Sequence, residues 1–354
     1  MSRLRRSQLL VIGSAVVFGV LIAEAATRVL LFATHQDVAA FDADFRWYRS
    51  DPFLGFVLTP GMQLNHPSLK FRTNALGFRG AEINAKKAPG TVRIFCLGGS
   101  STWGFMLNDG QTWPDALQRQ LRLQYPGRRI EVVNAGVPGY CTFQSMINLQ
   151  TRILDYQPDL VIVYHVWNDL KYWAEVTPSR NFAQTFLARD MSPPTFWDRL
   201  LHHSRLYILV GLVRRKVTTR FPGGEPVPLI SRPDPDLSYG EQVYRRNLIN
   251  IVATAKANGV RVILSNEATL VKSTSSPDED RRIMWFLPKP KLIRAFDDAD
   301  AILRDVAAAE GVRFVDVRGA VPSNLETEMD QTHPTAKGCA LIGEVLAHAI
   351  RDLI

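Results

Sequence analysis

The sequence predicts an α/β fold: a three-layer α/β/α sandwich around a five-stranded parallel sheet, with an apolar helix at the amino terminus. Three observations lead to this prediction. Five runs with strand character lie between residues 91 and 317, these runs are apolar on both faces, and helical patterns alternate with them. Strands of this kind belong to parallel sheets that helices cover on both sides.

The composition is that of a globular chain. Of the 354 residues, 46% are hydrophobic and 21% are charged, which suits one large domain with extensions or two small domains. The net charge of +8 comes from separate clusters, such as residues 3–6 and 214–216. No basic stripe is interleaved with aromatic residues, so we expect no nucleic-acid partner. The three cysteines are an odd number without metal-ligand spacing, so we expect no disulfide framework, no metal and no cofactor.

The first 33 residues are expected to form a membrane anchor. The uncharged stretch Leu9–Ala23 would be about 22 Å long as a helix, shorter than the ~30 Å core of a bilayer, so a spanning helix has to continue to about Phe32. Glu24 and Arg28 are spaced to pair on one face of that helix. The basic start then leaves the rest of the chain outside the cytoplasm. The alternative is a signal peptide cleaved at Ala23-Glu24-Ala25, followed by secretion.

Two segments lack regular alternation. Residues 34–90 contain several turn signals, among them NALGFRG at Asn74–Gly80, and we expect an irregular lead-in that packs on the domain that follows.

Residues 171–239 are expected to be an insertion. They include LYILVGLVRRK at Leu206–Lys216, which we interpret as a helix packed over the sheet. The alternative is a lid or a membrane-facing helix, since apolar residues beside cations suit a membrane interface.

The main domain, residues 91–354, alternates strands and helices. Pro126 ends the first of these helices, and Gly259 and Gly311 cap two later ones. The expected strands are VRIFCL (92–97), RIEVVNAG (129–136), DLVIVYHV (159–166), VRVILS (260–265) and VRFVDV (312–317), and the expected helices cover residues 112–125, 143–156, 241–259, 295–311 and 334–354.

Polar residues suited to acyl transfer follow the strands. In a parallel α/β sheet, ligands bind outside the carboxyl ends of the strands. Ser100 follows the first strand and two glycines, Gly139 follows the second strand, and Asn168 follows the third. Asp330 and His333 lie just before the last helix. Together they supply a nucleophile, a base, a residue that orients the base, and oxyanion donors.

These residue types predict a serine mechanism. Ser100 is the expected nucleophile, because two glycines let the backbone turn sharply and expose its hydroxyl. A hydroxyl needs a base within hydrogen-bond distance, and a histidine, with a reference pKa near 6.5, suits this role at His333. Asp330, one turn earlier, is expected to hold the imidazole tautomer. The N–H groups of Ser100 and Gly139 and the amide of Asn168 are expected to bind the oxyanion, where losing one donor costs about 3–4 kcal/mol.

Two other residues near the strand ends have ordinary interpretations. Ser101, the competing nucleophile, is expected to cap the helix that it starts. His165, near the end of the third strand, is expected to be a packed strand residue, the alternative being that it borders the pocket. The motif GGSST lacks the second glycine of G-x-S-x-G and the G-K-[ST] ending of a phosphate loop, which excludes both of those motifs.

Four sequence blocks in this order resemble those of SGNH hydrolases, the superfamily of GDSL-type esterases and lipases. The resemblance covers roughly residues 91–354 apart from the insertion. The apolar helix and NALGFRG are also similar to those of bacterial membrane-anchored members. The first block is LGGSST, which carries Ser100 and has Gly99 in place of the usual aspartate, and the second is NAGVPGY, which carries Gly139. The third block is VWND, which carries Asn168 and has Val166 in place of the usual glycine. The last block is DQTH, which carries Asp330 and His333.

The resemblance implies a flavodoxin-like SGNH fold and ester hydrolysis through an acyl-serine, without a metal. The implied substrate is a small-molecule, glycan or lipid ester outside the cytoplasm, and the amino-terminal helix adds the membrane as a partner. Deacetylation of a glycan and cleavage of a lipid ester both fit. Two alternatives remain open: a polysaccharide O-acyltransferase, in which a sugar hydroxyl takes the acyl group, and a non-catalytic glycan-binding domain.

Overall fold

The structure, a computed structural model, consists of two compact units. One comprises Met1–Arg49 with Pro193–Val227, and the other comprises Ser50–Ser192 with Pro228–Ile354. The structure describes residues 6–33, 47–174, 200–201, 204–207, 209–210 and 234–354. Most of the predicted insertion, including most of the segment Leu206–Lys216, lies outside these described residues.

The first unit is built on one long helix, α1 (Arg6–Ala33). Its segment Leu10–Leu31 is long and apolar enough to cross a membrane. Most side chains described on α1 are exposed, and the exceptions form one stripe of Ala23, Glu24, Thr27 and Leu31. The Arg28 guanidinium donates to Glu24 Oε1 over 2.7 Å, so the expected pairing of these two residues is confirmed.

Four short strands occur in the segment that was expected to be irregular. They are β1 (Tyr48–Asp51), β2 (Gly55–Leu58), β3 (Gln63–His66) and β4 (Leu69–Arg72). Strands β3 and β4 form an antiparallel pair. With four residues each, these strands are too short for their alternation of buried and exposed residues to stand out in the sequence.

The main sheet has five strands in the order β6–β5–β7–β8–β9, and all four pairings are parallel. The predicted five-stranded parallel sheet is therefore confirmed. Because the strand order reverses between β5 and β7, the carboxyl ends of these two strands form the switch point where ligands bind in open α/β sheets. The strands are β5 (Thr91–Gly98), β6 (Arg129–Asn134), β7 (Leu160–Tyr164), β8 (Arg261–Ser265) and β9 (Arg313–Val315).

Helices connect these strands and cover both faces of the sheet. The helix expected over residues 143–156 ends at Thr151 and is followed by a separate 3₁₀ turn, Ile153–Tyr156. Among its described residues, this unit has the helices α2 (Ser100–Trp103), α3 (Trp113–Gln124), α4 (Thr142–Thr151), α5 (Trp167–Trp173), α6 (Ser238–Ala257), α7 (Pro277–Asp280), α8 (Lys289–Ala309), α9 (Val317–Ala320) and α10 (Ala336–Ala349).

The central strand β5 buries side chains on both faces. Ile94 and Cys96 pack against α3 and α10, whereas Phe95 and Leu97 face α4, α6 and α8. Each fully buried side chain of this size stabilises the fold by roughly 1.5–3 kcal/mol. The rigid centre of the sheet thus ends at Gly98, directly before Ser100. The chain's three cysteines are buried and unpaired.

His165 is a packed residue, as expected. Its side chain is buried, and its Nε2 lies 2.7 Å from Ser145 Oγ. Its backbone carbonyl accepts a hydrogen bond of 2.6 Å from the Tyr244 hydroxyl. Burial lowers the pKa of His165 to about 3, because the charged imidazolium loses its hydration inside the core.

We expect His165→Gln to reduce the acid sensitivity of the fold. The pKa of His165 falls from 6.5 to about 3 on folding, so below pH 6.5 the unfolded chain binds a proton that the folded chain excludes. Stability is therefore lost as the pH falls from 6.5 towards 3, by about 2 kcal/mol at pH 5. Urea unfolding at pH 7 and pH 5 measures this loss, with His348→Gln at an exposed position as the control. An equal loss in the His165→Gln variant would contradict the prediction.

Candidate active site

Ser100 stands where the central strand turns into a one-turn helix. β5 ends at Gly98, and α2 begins at Ser100. The two glycines are needed for space, since a Cβ on Gly98 would lie 1.8 Å from Thr102 Oγ1 and one on Gly99 would lie 2.6 Å from Asn168 Nδ2. In this chain the amide of Asn168 therefore fills the position of a side chain at residue 99.

Ser100, His333 and Asp330 form a continuous chain of hydrogen bonds. His333 Nε2 lies 2.7 Å from Ser100 Oγ. His333 Nδ1 lies 2.9 Å and 2.7 Å from the two carboxylate oxygens of Asp330. A carboxylate only accepts hydrogen bonds, so Nδ1 carries the proton and Nε2 is left to accept the proton of the Ser100 hydroxyl. The structure brings these three predicted residues together.

Asp330 is held in its ionised form by local donors. Burial raises the pKa of this carboxyl. The opposing effects are together larger and bring the pKa below its ordinary value; they come from the hydrogen bond and charge of His333 and from the N–H groups of Thr332 and His333. Both N–H groups donate to Asp330 Oδ1 over 3.1 Å. The charged carboxylate can therefore orient the imidazole and stabilise its protonated form.

The loop that carries His333 is closed on itself. The Met329 N–H donates to the His333 carbonyl over 2.8 Å, and an antiparallel bridge joins Glu328 to Pro334. The Phe105 ring packs on the imidazole with a centroid distance of 4.7 Å. Phe105 keeps 37% of its surface exposed, so it forms an apolar wall beside the imidazole.

The predicted oxyanion donors lie on the other side of Ser100. Asn168 Nδ2 donates one hydrogen to the Tyr140 carbonyl over 2.8 Å, and the second hydrogen of that amide is left for a ligand. Gly139 has a φ of +89°, a conformation that favours glycine. Within the described part of the chain, the backbone N–H groups of Ser100 and Gly139 donate to no acceptor.

The valine that replaces the usual glycine of the third block fits its position. Val166 is buried in the core, and its φ of −147° lies outside the left-handed region that favours glycine. Asp169, which follows Asn168, accepts hydrogen bonds from the N–H and the hydroxyl of Thr142 at the start of α4. Burial raises the pKa of Asp169 to about 7. The third block is thus anchored from both sides of Asn168.

Two buried residues hold the carboxyl end of α2. Asn134 Nδ2 donates to the Thr102 carbonyl over 2.9 Å. Arg79, from the motif NALGFRG, donates to the carbonyls of Trp103 and Gly104 over 2.7 and 2.6 Å, and also to that of Leu107. The last carbonyls of a helix have no partner inside it, so these contacts satisfy groups that burial would otherwise leave unpaired.

The expectation that Ser101 caps α2 is wrong. The residue at the cap position is Gly99, and no side-chain cap is formed. The Ser101 hydroxyl instead donates to Glu267 Oε1 over 2.8 Å. Glu267 follows strand β8 at its carboxyl end, the position that the strand-end rule singles out, but it belongs to no recognisable motif. Among the described residues, no group of His, Cys, Asp and Glu is arranged to hold a metal ion.

Residues 96–341 match the model of the GDSL-like Lipase/Acylhydrolase family, which is more than half of the chain. No curated protein matches the sequence significantly.

Several solved structures are similar to this chain at low identity. A catalytic mutant of Axe2, an acetylxylan esterase from Geobacillus stearothermophilus, is 12% identical with a TM-score of 0.45, over 73% of this chain and 94% of that one. A GDSL-like lipase from Bacteroides thetaiotaomicron is 17% identical with a TM-score of 0.42, over 74% and 89%. LAE5, an alpha/beta hydrolase enzyme from the metagenome of Lake Arreo, is 17% identical with a TM-score of 0.44, over 74% and 96%. None of these similarities bears on the substrate.

We expect Arg79→Ala to destabilise the second unit by at least about 3 kcal/mol, because three buried carbonyls lose a charged donor. Misplacement of Ser100 should also slow its reaction with a fluorophosphonate probe, by about tenfold per folded molecule. Thermal unfolding and probe labelling measure the two effects. Arg72→Ala is the control, since the Arg72 side chain is exposed and its Nε lies 3.7 Å from Asp109 Oδ2. Wild-type labelling of folded Arg79→Ala would refute the proposed support of α2.

Proposed function

We propose that this chain, which belongs to the GDSL-like lipase/acylhydrolase (SGNH) family and is an esterase, hydrolyses carboxylic esters through an acyl intermediate on Ser100. We further propose that it does so outside the cytoplasm, tethered by α1. The observation that carries the first proposal is the hydrogen-bonded chain from Ser100 Oγ through His333 to Asp330, with distances of 2.7 Å on either side of the imidazole.

The proposed reaction has two halves. In the first, Ser100 Oγ attacks the ester carbonyl while His333 Nε2 takes the hydroxyl proton, and Asp330 stabilises the resulting imidazolium. His333 then gives the proton to the alcohol that leaves. In the second half, His333 Nε2 takes a proton from a water molecule, which attacks the acyl-serine, and returns that proton to Ser100 Oγ as the acid is released.

The oxyanion of each tetrahedral intermediate would be bound by the N–H groups of Ser100 and Gly139 and by the side-chain amide of Asn168. In support, both N–H groups lie without an acceptor among the described residues, and the amide lies against Gly99 with one hydrogen left. Donors that are oriented before the reaction need no reorganisation when charge develops, which makes them effective in a partly buried site.

We expect Ser100→Ala and His333→Ala to abolish ester hydrolysis, because each removes a reacting group. Asn168→Ala should lower kcat about 10²–10³-fold, since it removes one oxyanion donor. Activated esters of increasing acyl length measure turnover, and a fluorophosphonate probe followed by peptide mass spectrometry identifies the nucleophile. Ser68→Ala, at an exposed serine, is the control. Full activity in folded Ser100→Ala would refute the assignment.

The same assay separates hydrolysis from acyl transfer. Release of acid from the ester in water alone supports the proposed hydrolase. Product that forms only when a polysaccharide acceptor is added, and that carries the acyl group, would instead identify an O-acyltransferase.

The contacts of Glu24 support an anchor that is retained. Glu24 lies in the middle of the possible cleavage motif Ala23-Glu24-Ala25. Its carboxylate accepts hydrogen bonds from the Ser204 hydroxyl and from the N–H groups of Arg205 and Leu206, over 2.8–2.9 Å. Residues 205–207 are helical. The Glu24 carboxylate therefore accepts hydrogen bonds from the first N–H groups of that turn, which have no partner within the turn. Cleavage after Ala25 would remove this acceptor.

We therefore expect the mature protein to keep residues 1–33 and to stay in the membrane after alkaline carbonate extraction. The intact mass of the purified protein measures cleavage directly.

Glu24→Gln keeps an acceptor oxygen for the N–H groups, whereas Glu24→Ala removes it and should make the segment around residues 204–206 more sensitive to limited proteolysis. A protein that begins after residue 25 and is released in soluble form would contradict the anchor.

A further inference from the structure

A single buried carboxylate contacts three separate loops of the candidate active site. Glu267 keeps 3% of its surface exposed. Its Oε1 accepts a hydrogen bond of 2.8 Å from the Ser101 hydroxyl. Its Oε2 accepts one of 2.8 Å from the Trp167 N–H and one of 3.3 Å from the Thr332 hydroxyl. These donors come from α2, from the start of α5 and from the loop before α10.

Each of these three donors is the immediate neighbour in sequence of a residue proposed to act in catalysis. Ser101 follows the nucleophile Ser100. Trp167 precedes Asn168, and Thr332 precedes His333. The three loops are distant in the chain, separated from Glu267 by 166, 100 and 65 positions. Through two hydroxyls and one backbone N–H, Glu267 therefore links the chain segments that carry the proposed nucleophile, oxyanion donor and base.

We propose that Glu267 is a positioning residue, which sets the distances between Ser100, Asn168 and His333 without contacting the substrate. The proposal rests on the function proposed above for these three residues. A misplacement of about 1 Å can cost roughly 10²-fold in rate, so one contact shared by all three loops has a large effect on kcat. Because Glu267 does not contact the substrate, its loss leaves the groups that bind the substrate in place, and KM changes little.

The hydrogen bonds match the ionised form of this carboxyl. Burial raises the pKa of Glu267, and the donors at Trp167, Ser101, Val166 and Thr332 oppose that rise. A backbone N–H can only donate, so Oε2 has to remain an acceptor, whereas the Ser101 hydroxyl can either donate or accept. Glutamine can therefore keep the contact with Trp167 and reverse the one with Ser101, while alanine loses every contact.

The test compares Glu267→Ala with Glu267→Gln in the full-length protein. We expect Glu267→Ala to lower kcat on an activated ester about 10²-fold, with KM within about threefold, and to slow fluorophosphonate labelling of Ser100 in parallel. Glu267→Gln should lose only about fivefold, because one altered hydrogen bond is worth about 1 kcal/mol. Rescue by the isosteric amide distinguishes positioning from a need for negative charge.

Glu279→Ala is the matched control for the loss of a buried carboxylate. Glu279 keeps 7% of its surface exposed and accepts hydrogen bonds from Lys272 and from the Ser276 N–H. This variant should lower the thermal stability and leave kcat per folded molecule unchanged. If Glu267→Ala behaves in the same way, with kcat within about twofold of wild type, the positioning role is refuted.

Single-contact variants keep the inference testable if Glu267→Ala fails to fold. Ser101→Ala and Thr332→Val each remove one donor, and each should lower kcat more than it changes KM. In combination with Glu267→Gln, Ser101→Ala should show an effect that is smaller than the sum of the two. Full additivity, or wild-type kcat in both single variants, would overturn the proposal.

Failure of the proposed function would look different. If the wild-type protein shows no turnover and no labelling that Ser100→Ala removes, the assignment of Ser100 fails before Glu267 is tested. If the wild type is active through Ser100 and Glu267→Ala is equally active, only the positioning role fails.

Discussion

The requirement that buried polar groups find partners governs the architecture around Ser100. Helix α2 has only four residues, so its backbone cannot satisfy itself, yet Ser101, Thr102 and Trp103 are buried. A buried N–H or carbonyl without a partner costs about 1–3 kcal/mol. The partners come from elsewhere: Arg79 and Asn134 bind the carbonyls at the end of the helix, and Glu267 binds its second residue. A short, rigidly held turn is the result.

This requirement makes residues 74–79 of the lead-in part of the structure that supports Ser100. Asn74 Oδ1 accepts hydrogen bonds of 3.0 Å from the N–H groups of Leu76 and Phe78, which closes the turn of NALGFRG. Gly77 in that turn has a φ of +80°, which favours glycine. The turn places Phe78 against Phe95 in the core, with ring centroids 5.3 Å apart, and the next residue, Arg79, under α2. The motif is therefore explained by packing and hydrogen bonding at the turn that carries Ser100.

The environments of two acidic residues near the site shift their pKa values in opposite directions. Asp330 is kept ionised by His333 and by local N–H donors. Glu328, two positions earlier, is fully buried, and burial together with the nearby charges of Asp330 and Glu267 raises its pKa well above the ordinary value. The raised pKa of Glu328 disfavours a second negative charge beside Asp330. Environments that separate the pKa values of neighbouring carboxyls in this way let one of them serve the imidazole alone.

The sequence by itself determined the sheet and the contacts that local chemistry dictates. Strands apolar on both faces indicate a parallel sheet between helices; glycines and Ser100 stand at a strand end, and the pair Asp330 and His333 lies just before the last helix. Only the tertiary structure decided which distant groups meet there. Glu267 and Arg79 lie in no catalytic motif, and Ser101 looks like a helix cap, because their roles depend on which carbonyls and hydroxyls burial leaves unpaired. Those partners lie 24 to 166 positions away in the chain, a relation that no local pattern of residues records.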